Sequence, residues 1–318
     1  MKSDCLPENS GQMVKKNEAK QMLLNGVDGK EVKEKLMETY TLRSTNTYMS
    51  EIRKYIEKHH ADRNLTNLET FKLTKEEVCE VKKKKSASLI QKHKNLIRID
   101  CPSYLLGEVV ELLKNAQPSD SYCKLVMPLA IVSGRRHCEY MSVRSTFKSA
   151  GDGEDYYCMF TGQLKKSGKA EEYCIPLLVP FNIFNMGWTA LREKQKQLAG
   201  GKLEMPEELD DEEYNQELHK KYSKDMNRDM KKRKCLQYLP KTDIHEEKNV
   251  SIHKLRAIYL AYVYQLFDCP CSDHLLGMKI LGHCTVEDSL SYKNVRLENC
   301  DGFLDHFRGY CGLLQIKV

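Results

Sequence analysis

No stretch of this 318-residue chain approaches the roughly 20 consecutive apolar residues needed to span a bilayer, so a membrane-embedded function is not expected. A secretory leader is missing as well, and the thirteen cysteines lack the regular spacing of a disulfide framework. A reducing, intracellular compartment follows, in which the thiols act as small buried hydrophobes. Cys269-Pro270-Cys271 is too tight for a usual zinc pair, and no second pair follows it at ligand spacing, so no metal is expected. Nor is there a strong excess of either charge. The 51 basic and 45 acidic residues leave a net charge of +6, which permits a nucleic-acid partner without requiring one.

What is present suffices for two cores, since 41% of the residues are hydrophobic. Residues 1 to about 20 are polar and read as frayed. An amphipathic helix begins near Val27, and a second follows Asn46, where Tyr48, Met49, Ile52, Tyr55 and Ile56 share one face. Joined by the polar turn Arg43-Ser44-Thr45-Asn46, the two helices suit either DNA contact or packing within their own domain. The run Lys82-Lys83-Lys84-Lys85 reads as a linker or solvated face, and a domain boundary is placed between residues 98 and 99. Beyond it, Tyr104 to Lys114 and the nearly all-apolar Cys123 to Val132 read as helices. Three strand-like stretches follow, Ser142 to Phe147, Tyr156 to Thr161 and Glu172 to Val179, divided by Gly151-Asp152-Gly153 and Lys166-Ser167-Gly168. Tyr214, Leu218, Tyr222, Met226 and Met230, spaced by four, predict a long one-sided helix. The expected architecture is mainly α with a small antiparallel β-sheet.

Several basic elements stand in a suggestive order. Gly134-Arg135-Arg136 follows the apolar helix, with Glu139 one turn later; Lys165-Lys166 lies between the second and third strands; His253-Lys254-Leu255-Arg256 opens a helix; His283 emerges after Gly282; and Tyr292 follows. A tyrosine hydroxyl has a pKa near 10, so only about one in a thousand is ionised at neutral pH. To attack a phosphate it needs cations for the transition state, a group to take the phenol proton and an acid for the leaving oxygen. Two arginines, two histidines and a lysine meet that demand without a metal or another cofactor. Arg136 can hold two phosphate oxygens in its planar fork with Glu139 as buttress, or it can be an exposed arginine at an ordinary helix start. His253 and Arg256, at i and i+3, share a face that projects from a helix anchored by Leu255, Ile258, Tyr259, Tyr262 and Leu266. Thr285 and Asp288 resemble a capping box that begins a helix carrying Tyr292.

This layout resembles the tyrosine recombinase superfamily and, within it, the protelomerases or hairpin telomere resolvases. The wording as well as the order is similar, in Ser133-Gly134-Arg135-Arg136, in Phe160-x-Gly162-Gln163-x-Lys165-Lys166, in Arg256-Ala257-Ile258-Tyr259 and in Ile280-Leu281-Gly282-His283 leading to Tyr292. The likeness covers roughly residues 100 to 297. It implies a helical N-terminal DNA-binding domain, 1–98, and a tyrosine recombinase-like catalytic domain, 99–318. It further implies Arg136 and Arg256 as phosphate clamps, Lys165 as general acid with Lys166 as the alternative, His253 and His283 as hydrogen-bonding or proton-transfer groups, and Tyr292 as nucleophile. The partner it implies is double-stranded DNA with a palindromic site, bound by a homodimer, and the compartment is the host cytoplasm or nucleus if the source is viral. One departure is His253, where protelomerases tend to carry lysine and integrases histidine. A site-specific recombinase exchanging strands between two duplexes is therefore the alternative activity, followed by a non-catalytic DNA-binding protein of the same fold. With Val318 soon after Tyr292, a large C-terminal DNA-binding domain is expected to be absent.

Overall fold

The computed structural model describes residues 10–60, 66–94, 96–164, 172–201, 209–231, 236–239, 250–266, 272–282, 292 and 294–299. Two compact units divide the chain, Met1–Gln91 and Lys92–Val318. The division lies upstream of the boundary drawn from the sequence.

The first unit is helical, with α1 (Ser10–Leu24), α2 (Gly29–Thr39), α3 (Leu42–His59), the single turn α4 (Asn67–Thr70) and α5 (Lys75–Lys94). The segment expected to fray is therefore helical from Ser10 onward, because Ala19 and Leu23, four residues apart, enter a core with Val32, Leu36, Met49, Ile52, Ile56 and Phe71. The turn expected at residues 43–46 is instead the first turn of α3. Thr41 caps it by accepting a hydrogen bond from Ser44 N at 3.4 Å, and Thr45 is buried. Lys82 to Lys85 form no linker. They lie exposed within α5, where lysine is a good helix former and the charges stay solvated.

Helices dominate the second unit: α6 (Pro102–Lys114), α7 (Tyr122–Ser133), α8 (His137–Met141), α9 (Phe181–Leu198), α10 (Asp211–Lys231), α11 (Leu255–Leu266) and α12 (Asp273–Leu281), with a 3₁₀ turn at Ile252–Lys254. In chain order the strands are β1 (Ile97–Ile99), β2 (Thr146–Ser149), β3 (Tyr157–Thr161), β4 (Glu172–Pro176) and β5 (Val295–Leu297). The antiparallel sheet β2-β3-β4 matches expectation, while a parallel pairing of β1 with β5 is an addition to it. Because α7 is apolar on nearly every side it lies at the centre, packed against α6, α9 and α11. On one flank Phe147 of β2 gathers Trp188 and Phe184 of α9 at ring separations of 4.7 and 5.1 Å, so sheet and helices share one core. No described helix is long and apolar enough to cross a membrane.

Candidate active site

The site begins where α7 stops. Gly134 ends the helix in the left-handed conformation, at φ 66°, and a Cβ there would come within 2.2 Å of the Tyr259 ring. Only glycine fits both the turn and the close approach of α11. The two arginines that follow are delivered to different depths. Arg135, 1% exposed, lies over the rings of Phe160 and Tyr173 at 5.3 and 5.4 Å and donates to the Tyr173 hydroxyl and the Ile280 carbonyl. It ties sheet, α7 and α12 together. Arg136 opens α8, its N–H donating to Glu139 Oε2 at 2.8 Å and its Nη1 to Glu139 Oε1 at 3.0 Å. With a side chain 13% exposed, Arg136 is the more accessible of the two to an incoming anion.

Arg256 reaches the same carboxylate from α11, with Nη1 3.8 Å from Glu139 Oε2 and Nη2 donating to the Leu281 carbonyl at 2.8 Å. The sequence placed Arg256 on a projecting face, but α11 is buried on nearly every side and the guanidinium lies inside the unit. A buried cation of this kind is tolerated because Glu139 and a helix C-terminal carbonyl face it. Tyr292 also lies against Arg256, its ring centroid 5.7 Å from the guanidinium carbon. Tyr292 is half-buried against the main core and stands just before β5, whose pairing with β1 is extended by an Ile97 N to Asn294 O bond of 2.8 Å. The ladder fixes β5 in place, and β5 packs against α11, the helix that carries Arg256.

Three arginines converge on one carboxylate, a local surplus of positive charge. Burial alone would raise the Glu139 pKa, yet Arg136, Arg135 and Arg256 together hold it below the ordinary value, so the carboxylate stays ionised. Arg256 is pushed down to about 9, first by burial and then by the repulsion of Arg136 and Arg135. A phosphate entering beside Arg136 would relieve that repulsion and supply the missing negative charge.

Of the six residues singled out in the sequence, the structure brings Arg136, Arg256 and Tyr292 to one place. Lys165 and His283 lie outside the described residues, as do Lys166, Thr285 and Asp288. Their anchors are visible, since Gln163 Nε2 donates to Gly282 O at 2.8 Å, joining the chain just before Lys165 to the residue before His283. His253 is exposed on the 3₁₀ turn, its ring 5.3 Å from that of His137 and 5.7 Å from that of His219. Sequence reasoning missed the structural role of Arg135, its partner Tyr173, and the histidine group. An arginine pair after a glycine gives no sign of which member is buried.

Residues 95–294 match the family model described as the telomere resolvase ResT/TelK catalytic domain. The chain belongs to the telomere resolvase family. Among solved structures, this resolvase is similar to protelomerase TelA in an arginine-to-alanine variant complexed with DNA hairpin product, with 19% identity, a TM-score of 0.67 and coverage of 90% of this chain and 85% of that one. It is similar also to TelA covalently complexed with substrate DNA, at 18% identity, a TM-score of 0.67 and the same coverage. For TelK complexed with substrate DNA the identity is 22% and the TM-score 0.55, over 79% of this chain and 49% of that one. No curated protein matches. At these identities the structural likeness establishes the tyrosine recombinase-like fold of the resolvase.

Proposed function

We propose that this resolvase, acting as a homodimer, cuts both strands of a palindromic duplex through Tyr292 and reseals the ends as covalently closed hairpins. The Tyr292 hydroxyl attacks the scissile phosphorus, forming a 3′-phosphotyrosyl bond as the 5′ oxygen leaves. Arg136 and Arg256 carry the charge of the transition state, while His253 and His283 serve as hydrogen-bonding or proton-transfer groups. Lys165, or Lys166 beside it, protonates the departing oxygen. The freed 5′ hydroxyl of the opposite strand then attacks the phosphotyrosine and releases the enzyme. One phosphoester bond replaces another at each step, so no external energy source or hydrolysis is needed. Alongside the family match, the observation that carries this reading is the Arg136–Glu139–Arg256 cluster with Tyr292 against Arg256.

Duplex binding is assigned to both units, with the exposed lysines of α5 tracking phosphates from the first. A two-fold protein matches a two-fold site, and bending the duplex between the cuts costs about 1–6 kcal/mol, which phosphate contacts offset. Incubation with an inverted-repeat duplex tests the reading. Each half should run on a denaturing gel as a snap-back strand of twice the half-site length, and Tyr292→Phe should trap no covalent complex. Joined products drawn from two differently labelled duplexes, without snap-back species, would assign strand exchange instead. A covalent complex formed by Tyr292→Phe would overturn the nucleophile.

A further inference from the structure

A second group of chemically capable side chains lies where α8 meets α10. His137 and Cys138 open α8, both almost fully buried, and α10 packs against that helix carrying His219 and Ser223. Cys138 Sγ lies 3.3 Å from His137 Nε2. The Ser223 hydroxyl bridges the two imidazoles, 2.6 Å from His137 Nε2 and 2.7 Å from His219 Nδ1. One ligand atom from each of His137, Cys138 and His219 lies within 4.8 Å of the others.

Such spacing is close to that of a coordination sphere. With zinc–sulfur and zinc–nitrogen bonds of about 2.3 and 2.05 Å at tetrahedral angles, neighbouring sulfur and nitrogen ligands stand about 3.6 Å apart. The His137–Cys138 pair already has nearly that separation. His219 needs to close by about an ångström, and as an exposed residue of α10 it can do so by a small rotation of its side chain. Two imidazoles and a thiol form a soft to borderline donor set, suited to zinc and unsuited to magnesium or calcium.

We propose that His137, Cys138 and His219 form a binding site for zinc or a similarly thiophilic divalent ion, with the fourth position open to water. Binding releases the Cys138 thiol proton, displaces the Ser223 hydroxyl from between the rings, and fastens α10 to the start of α8. The site stands apart from the cleavage chemistry, which takes no step through it. The two assignments therefore fail or stand separately.

The full chain, stripped of metal with chelator and titrated with cobalt(II), tests the site. One ion per chain should bind with thiolate-to-cobalt charge-transfer absorption and tetrahedral ligand-field bands, and zinc should displace it. Cys138→Ser should lose the charge-transfer band. His219→Ala, an exposed position whose folding is checked by circular dichroism, should weaken the affinity by at least about tenfold. A double variant, Cys269→Ser with Cys271→Ser, should bind cobalt as the native chain does. No thiolate band in the native chain would overturn the proposal. So would a band lost in the Cys269/Cys271 variant but kept in both Cys138→Ser and His219→Ala.

Discussion

Replacing Glu139 by glutamine removes one negative charge from the centre of the arginine cluster while preserving the shape of the side chain. The carboxylate is fully buried, 3.0 Å from Arg136 and 3.8 Å from Arg256. At an effective dielectric constant near 20, two unit charges about 4 Å apart attract by about 4 kcal/mol, of which desolvation takes back a large part. Breaking a buried pair on one side is nonetheless costly, because the surviving charge stays buried without compensation; the usual loss is about 3–5 kcal/mol. Arg256, 1% exposed, cannot recover that loss from water, whereas the more accessible Arg136 can in part. Urea denaturation, followed by near-ultraviolet circular dichroism of the second unit, should therefore show a loss of about 3–5 kcal/mol for Glu139→Gln. Sulfate should restore more stability to the variant than to the native chain, since it supplies the missing anion. The sign of the pH dependence follows from the lowered Glu139 pKa. A carboxylate depressed in the folded state stabilises above its unfolded value, near about 4.3, and that stability is lost as the pH falls through the folded value. The gap between native and variant should thus be full near neutrality and narrow on acidification below about pH 4.3. A loss under about 1 kcal/mol that is also independent of pH would refute the reasoning, since it would fall within the range of exposed ion pairs.

Arg136→Ala and Arg256→Ala should each slow cleavage by about 10²- to 10³-fold while leaving duplex binding largely intact; equal losses in the two assays would make them positioning residues. Cleavage should persist in excess chelator, and activity that vanishes there and returns with magnesium would point to a metal nuclease. Gly134→Ala places a Cβ against the Tyr259 ring at a positive φ, so stability should fall by about 1–3 kcal/mol and cleavage should drop with the displaced arginines. An alanine variant as stable and as active as the native chain would remove the role given to that turn.

The elements most legible in the sequence are those whose pattern has one physical explanation. The apolar run ending at Ser133 has no polar face to show to water and forms the central helix α7, and Gly151-Asp152-Gly153 turns β2 into β3. The four-residue spacing from Tyr214 to Met230 appears as the buried face of α10. What escaped was non-local. Neither β1 nor β5 exceeds three residues, and each acquires its meaning from a partner at the other end of the unit, which no window of sequence reveals. The helix α9, absent from the sequence reading, mixes aromatic and charged residues, and its buried face depends on α6 and α7. Arginine is read as a surface residue, so the depths of Arg135 and Arg256 could not be foreseen from residue type. Order and wording grouped Arg136, Arg256 and Tyr292 as one proposed site, while Glu139, the counter-ion shared by the two arginines, emerged from the sequence only as a possible buttress to Arg136.

The bond from Gln163 to the Gly282 carbonyl gives two remote chain segments a common mooring. Gly282 leads directly into His283, and Lys165 follows Gln163 after a single intervening leucine. The lysine and the histidine proposed to act on one phosphate thus follow directly from two residues that are bonded to each other. Severing the tie would cost little in folding, since one hydrogen bond contributes about 0.5–1.5 kcal/mol, but under the proposed mechanism it would uncouple two groups that serve one reaction.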